Sequence, residues 1–147
     1  MSKIIRVLAV VLCAVLLCTA LVGCASGPKD GTYTARYENA SHGYVEYLTV
    51  TFKDGAPVEA EYDAYAEGNP DAKKSAATPE EYPMDPAPSE WIPQISANVL
   101  AAGTNPDAID GVAGATYASA SARQLYAAIL EAAAEGNTAE IIVPNEG

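Results

Sequence analysis

Cysteine is scarce and lies only at the front. The 147 residues hold three, Cys13, Cys18 and Cys24, and none follows. Once a leader is cut before Cys24 and Cys24 itself carries a lipid anchor, the chain has no free thiol for redox chemistry, a disulfide or a cysteine metal site. Histidine is scarcer still. A lone His42 reads as an exposed loop residue rather than a ligand. Positive charge is also short, with eight Lys and Arg against nineteen Asp and Glu and a net charge of −11. That balance excludes nucleic acid and anionic bilayers as partners of the protein surface. No glycine-rich nucleotide fingerprint is present. Aromatic content is lopsided, since nine tyrosines stand beside one Phe and one Trp.

What is present begins with the leader. Lys3 and Arg6 precede an uncharged run from Val7 to Val22, which is short for a membrane span and suits a secretory signal. Leu21-Val22-Gly23-Cys24 then resembles the lipobox of bacterial lipoproteins. That resemblance implies cleavage before Cys24 and acylation of Cys24, giving more than one chain for stable anchoring in the lipid bilayer. Residues 1–23 are thus read as a lipoprotein signal peptide, 24–30 as a small, polar tether, and 31–147 as one domain. Its location would be the cell membrane, lipid-anchored and facing outside the cytoplasm.

Within the domain, residues 31–38 carry strand formers and 43–53 alternate, with Tyr44, Glu46, Leu48, Val50 and Phe52 on one face. Asp54-Gly55 signals a hairpin turn, and 56–65 returns as a third strand. From 66 to 90, prolines at 70, 79, 83, 86 and 88 predict a long loop without regular structure. A helix is expected over 90–103, starting near Pro93 and closed by Gly103, with Ile92, Ile95 and Val99 inward. A second is expected over 117–135, where Ala118, Ala122, Leu125, Ile129 and Ala132 form an apolar stripe and Gly136 ends it. Residues 138–144 supply a final strand. The fold class is α+β: a small antiparallel sheet with two helices packed on one side.

Chemistry concentrates in Asp110-Gly-Val-Ala-Gly-Ala-Thr116, just before the second helix. Thr116 stands where an N-cap would, and capping is its first reading. Gly111, Gly114 and Ala115 leave the loop nearly bare, so backbone N–H groups at the helix start can approach one phosphate. Asp110 is at odds with that ligand. It can order the loop through an Asx-type turn, or it can help position or deprotonate the Thr116 hydroxyl for attack on a phosphate ester.

Residues 110–116 resemble the flavinylation motif of FMN-binding domains: Asp, two variable residues, Ser or Thr, Gly, Ala, and Ser or Thr. Segments 30–37, 42–55, 61–65, Lys73-Lys74-Ser75 and Ile92-Pro93-Gln94 agree with that family as well, most closely with its membrane-anchored lipoproteins. The resemblance implies that a flavin transferase, using magnesium, moves the FMN half of FAD onto Thr116. Gly114 and Ala115 would present the hydroxyl, and Asp110 would belong to the element the transferase reads. One position departs from the pattern, since Ala113 stands where the family has Ser or Thr. Tyr117 and Trp91 are candidate neighbours for a flavin ring. The implied function is an extracytoplasmic electron carrier, taking electrons from a membrane redox donor such as a quinone-linked dehydrogenase. The alternatives are a lipoprotein that binds a ligand or partner without flavin, and a flavin-dependent reductase component.

Overall fold

The computed structural model describes residues 27–146. The segments read from sequence as signal peptide, lipobox with Cys24 and the first residues of the tether lie outside them. Five strands form one sheet: β1 (Gly31–Tyr37), β2 (Tyr44–Lys53), β3 (Ala56–Ala66), β4 (Asn69–Lys73) and β5 (Ile141–Val143). Their order is β4-β3-β2-β1-β5. Two helices, α1 (Pro88–Ala101) and α2 (Thr116–Glu135), complete an α+β domain. Among the described residues no helix is long and apolar enough to cross a membrane.

The Asp54-Gly55 turn behaves as its sequence predicts. Both residues have positive φ, 53° and 79°, and Lys53 pairs with Ala56 across a two-residue hairpin. Alternation along β2 puts Leu48, Val50 and Phe52 into the core beside Tyr33, Ala35 and Tyr37 of β1. Ile92, Ile95 and Val99 of α1, and Ala118, Ala122, Leu125 and Ile129 of α2, pack onto that same face. Ala133 is fully buried where the stripe pointed to Ala132, which is only partly covered. The Phe52 and Tyr126 rings lie nearly parallel, with centroids 6.3 Å apart. The opposite face is bridged by hydroxyl pairs, Thr34–Thr49 at 2.8 Å and Thr32–Thr51 at 2.9 Å.

Three expectations need correction. Segment 66–90 is not uniformly irregular: Gly68 (φ 79°) turns the chain into β4, and a 3-10 turn, Lys74–Ala76, follows. Pro70 misled because proline is barred from central strands, whereas β4 is an edge strand that tolerates it. Helix α1 starts at Pro88, not near Pro93. Pro88 occupies the first turn, and Pro93 is accommodated inside the helix on its exposed side. The sheet is mixed rather than wholly antiparallel. β1 to β4 pair antiparallel, but β5 returns after α2 and lies parallel to β1.

Candidate functional site

Helix α2 begins with an unusual economy. Its N-cap is Ala115, which offers no side-chain cap, and Thr116 is already the first helical residue. The capping reading of Thr116 therefore fails. The Thr116 hydroxyl is exposed and makes no hydrogen bond among the described residues. What holds the turn instead is Ser119, buried one turn into the helix. Its Oγ accepts the Val112 N–H at 3.0 Å and donates to the Ala115 carbonyl at 2.8 Å. Ala115 N–H closes the turn onto the Val112 carbonyl at 3.0 Å. Arg123 clamps the loop from below, donating Nε and Nη2 to the Ile109 carbonyl at 3.0 and 2.7 Å. With the turn secured by others, the first N–H groups of α2 stay without intrahelical acceptors.

Gly114 is required twice over. Its φ is +81°, and a Cβ built there would lie 2.7 Å from Pro86 Cδ. The motif thus packs directly against the Pro-rich segment before α1. That segment is ordered by a reciprocal cap: Thr78 N–H reaches Glu81 Oε2 at 2.8 Å and Glu81 N–H reaches Thr78 Oγ1 at 3.4 Å. The turn delivers Tyr82 and Met84 over a cleft of about 500 Å³ that begins at Gly114, Ala115 and Thr116.

Three elements furnish the rest of the cleft. From α2 come Tyr117, 92% exposed at the rim, with Ser121 and Gln124 one and two turns on. From the sheet come Tyr37 and Glu46. The Glu46 carboxylate is fully engaged, accepting Tyr62 Oη at 2.6 Å and Ser121 Oγ at 2.9 Å. Tyr37 Oη donates to Gln124 Oε1 at 2.7 Å. Burial first, then the Glu46 charge and hydrogen bond, push the Tyr62 phenol well above its usual pKa, so it stays a donor. Burial likewise raises Tyr37.

The far wall is cationic. Lys74 is only 7% exposed, and its Nζ lies 4.3 Å from the Tyr82 ring centroid and 5.5 Å from those of Tyr44 and Trp91. Its Nζ makes neither a hydrogen bond nor an ion pair among the described residues and keeps some access to solvent. Its backbone is fixed by Asp63, a buried carboxylate that accepts Ser75 N–H at 3.1 Å and Ser75 Oγ at 2.5 Å. Trp91, 2% exposed, leaves its indole Nε1 buried without a partner.

Of the residues singled out from sequence, Thr116, Ala115, Gly114, Tyr117 and Trp91 meet at this cleft, as does His42 at its mouth. Asp110 does not line it. Asp110 is exposed; its carbonyl accepts Asn98 Nδ2 at 3.0 Å, and its carboxylate makes no Asx turn, since Val112 N–H is taken by Ser119. Sequence reasoning missed Glu46, Ser121, Tyr82 and Met84. The Lys73-Lys74-Ser75 match was the only signal pointing at Lys74.

No protein-family model matches the chain. The 15 kDa lipoprotein of Treponema pallidum (strain Nichols) is 32% identical over 132 residues, spanning 88% of this chain and 94% of its own. The chain belongs to the family of this lipoprotein. Membership agrees with the Leu21–Cys24 lipobox and supports a lipid-anchored chain at the membrane. Among solved structures, the CPE2226 protein of Clostridium perfringens superposes with a TM-score of 0.73 at 31% identity, covering 81% of this chain and 99% of that one. The match extends the family likeness to the whole α+β domain.

Proposed function

We propose that this lipoprotein is an extracytoplasmic electron carrier with FMN joined through its phosphate to Thr116 Oγ1. The observation that carries the reading is the free Thr116 hydroxyl, at a helix start whose cap and loop are satisfied by other groups. Helix N–H donors and the positive end of the α2 dipole favour a phosphate at that position. Gly114 and Ala115 keep side chains away from the hydroxyl. Asp110 stands outside the cleft with its carboxylate uncommitted, which suits an element read by a flavin transferase. That enzyme, with magnesium and FAD, would bring the phosphate to Thr116, forming the Thr116 Oγ1–P bond as the pyrophosphate bridge breaks and AMP leaves.

The cleft fits such a group. It offers about 500 Å³, an exposed Tyr117 at its rim, and Lys74 and Trp91 among its lining residues, the latter with an unpartnered indole N–H. The flavin would supply one- or two-electron exchange, and covalent attachment would keep it from loss to the medium. The chain's own residues hold and shield. Glu46 and Ser121 tie the sheet to α2 at the cleft, and Tyr82 and Met84 would help to cover the ring. A membrane redox donor such as a quinone-linked dehydrogenase would then deliver electrons for an external acceptor.

The test is co-expression of the mature chain with an active flavin transferase. Flavin fluorescence that stays with the polypeptide through a denaturing gel, survives Thr116→Ser and vanishes in Thr116→Ala supports the reading. A non-fluorescent wild-type chain favours the rival, a lipoprotein that holds its ligand or partner without flavin, and Ala113 at a hydroxyl position of the motif is the observation on that side.

A further inference from the structure

Two donors belong to residues that line the cleft and have no acceptor among the described residues. Lys74 Nζ rests among the Tyr44, Tyr82 and Trp91 rings, which offset part of the cost of burying a cation but accept no hydrogen bond from it. Trp91 lines the same cleft, and its Nε1 is buried and without a partner. A buried donor left without an acceptor is costly, so Trp91 Nε1, with the Lys74 ammonium beside the same cleft, points to acceptors that arrive from outside the chain. Neither nearby carboxylate pairs with Lys74. Glu46 is held by Tyr62 and Ser121. Asp63 is spent on Ser75, whose two bonds fix the backbone that carries Lys74.

We infer that Lys74 and Trp91 form a two-donor seat for the carbonyl-bearing edge of a flat heteroaromatic ring, the pyrimidine edge of the flavin tethered at Thr116. The inference rests on the flavin reading above and adds the direction in which the ring enters. The phosphate end lies at α2, while the dione edge meets Lys74 and Trp91 across the cleft and Tyr82 covers a face. A fixed cation at that edge has an electrical consequence. The ring gains negative charge as it takes up electrons, and Lys74 stabilises that charge in a partly dehydrated site, so the seat raises the reduction potential.

The experiment uses the mature chain flavinylated by the transferase from FAD. It compares wild type with Lys74→Met, Lys74→Arg and Trp91→Phe by spectroelectrochemical midpoint potential and by the visible absorption of the ring. Met keeps the length and apolar stem of Lys74, and Phe keeps most of the Trp91 ring while removing its N–H. The expected order is a clear shift to more negative potential in Lys74→Met, a smaller one in Trp91→Phe, and substantial rescue in Lys74→Arg. Absorption bands move in the two variants that lose a donor. A Lys74→Met protein that carries flavin on Thr116 and matches wild type in potential and spectrum overturns the seat while leaving the flavin reading intact. Should Lys74→Met fail to fold, an unshifted Trp91→Phe overturns it equally. The mass of the Thr116 peptide, taken on each sample, reports the attachment separately; its absence in wild type ends both.

Discussion

Gly114, which lines the cleft, packs closely on Pro86: a Cβ on Gly114 would sit 2.7 Å from Pro86 Cδ. One glycine therefore sets both the turn that presents Thr116 and the seating of the Pro-rich segment that covers the site. Gly114→Ala meets a positive φ and a rigid pyrrolidine ring together. The expected loss is at least about 1 kcal/mol of stability, read as a lower urea midpoint. Flavin attachment should slow more than stability falls, because Thr116 is displaced even in molecules that stay folded.

Ser119 offers a test of how the motif loop is held. Ser119→Ala strands the Val112 N–H in a buried position and removes the bond to the Ala115 carbonyl. A loss of about 1–3 kcal/mol follows, measurable by denaturant unfolding. Amide exchange at Val112 should accelerate while the β2–β3 pairing stays protected.

Alkali should find the core through its tyrosines. Burial pushes the Tyr126 phenol up to about 12, with its Oη donating to the Gly103 carbonyl at 2.5 Å. An unfolded tyrosine titrates near pH ~10. The folded state thus prefers the protonated form. Its stabilising contribution is complete below about pH 10 and is lost as pH rises toward about 12. Burial and carboxylate neighbours raise Tyr62 and Tyr47 in the same sense. The urea midpoint should hold level to about pH 9 and fall above it. In Tyr126→Phe the decline should be shallower, from a lower starting value.

The anchor is tested at Cys24. Cys24→Ala should abolish labelling of the chain by radioactive palmitate and leave the precursor at its uncleaved mass. Palmitate incorporation undiminished in that variant would contradict acylation at this position.

Local chemistry explains which parts of the fold could be read ahead. Alternation in β2, the Asp54-Gly55 turn and the α2 stripe each follow from one dominant local preference, and each stands in the structure. β4 was hidden because Pro70 is tolerable only on an edge, and being an edge is a property of the whole sheet. The start of α1 was misplaced because two prolines, at 88 and 93, both suit a first turn. At the site, Thr116 was legible as a candidate but its freedom was not, since that depends on Ser119 taking over the turn. Glu46, Tyr82 and Met84 carry no motif; only tertiary packing brings them to the cleft.

Attachment at Thr116 is read by a peptide mass map. The mature chain would be made with an active flavin transferase and FAD, beside Thr116→Ala. The expected result is an FMN phosphodiester on the peptide containing Thr116, absent from the control. An unmodified Thr116, under conditions that flavinylate a related domain, would contradict it.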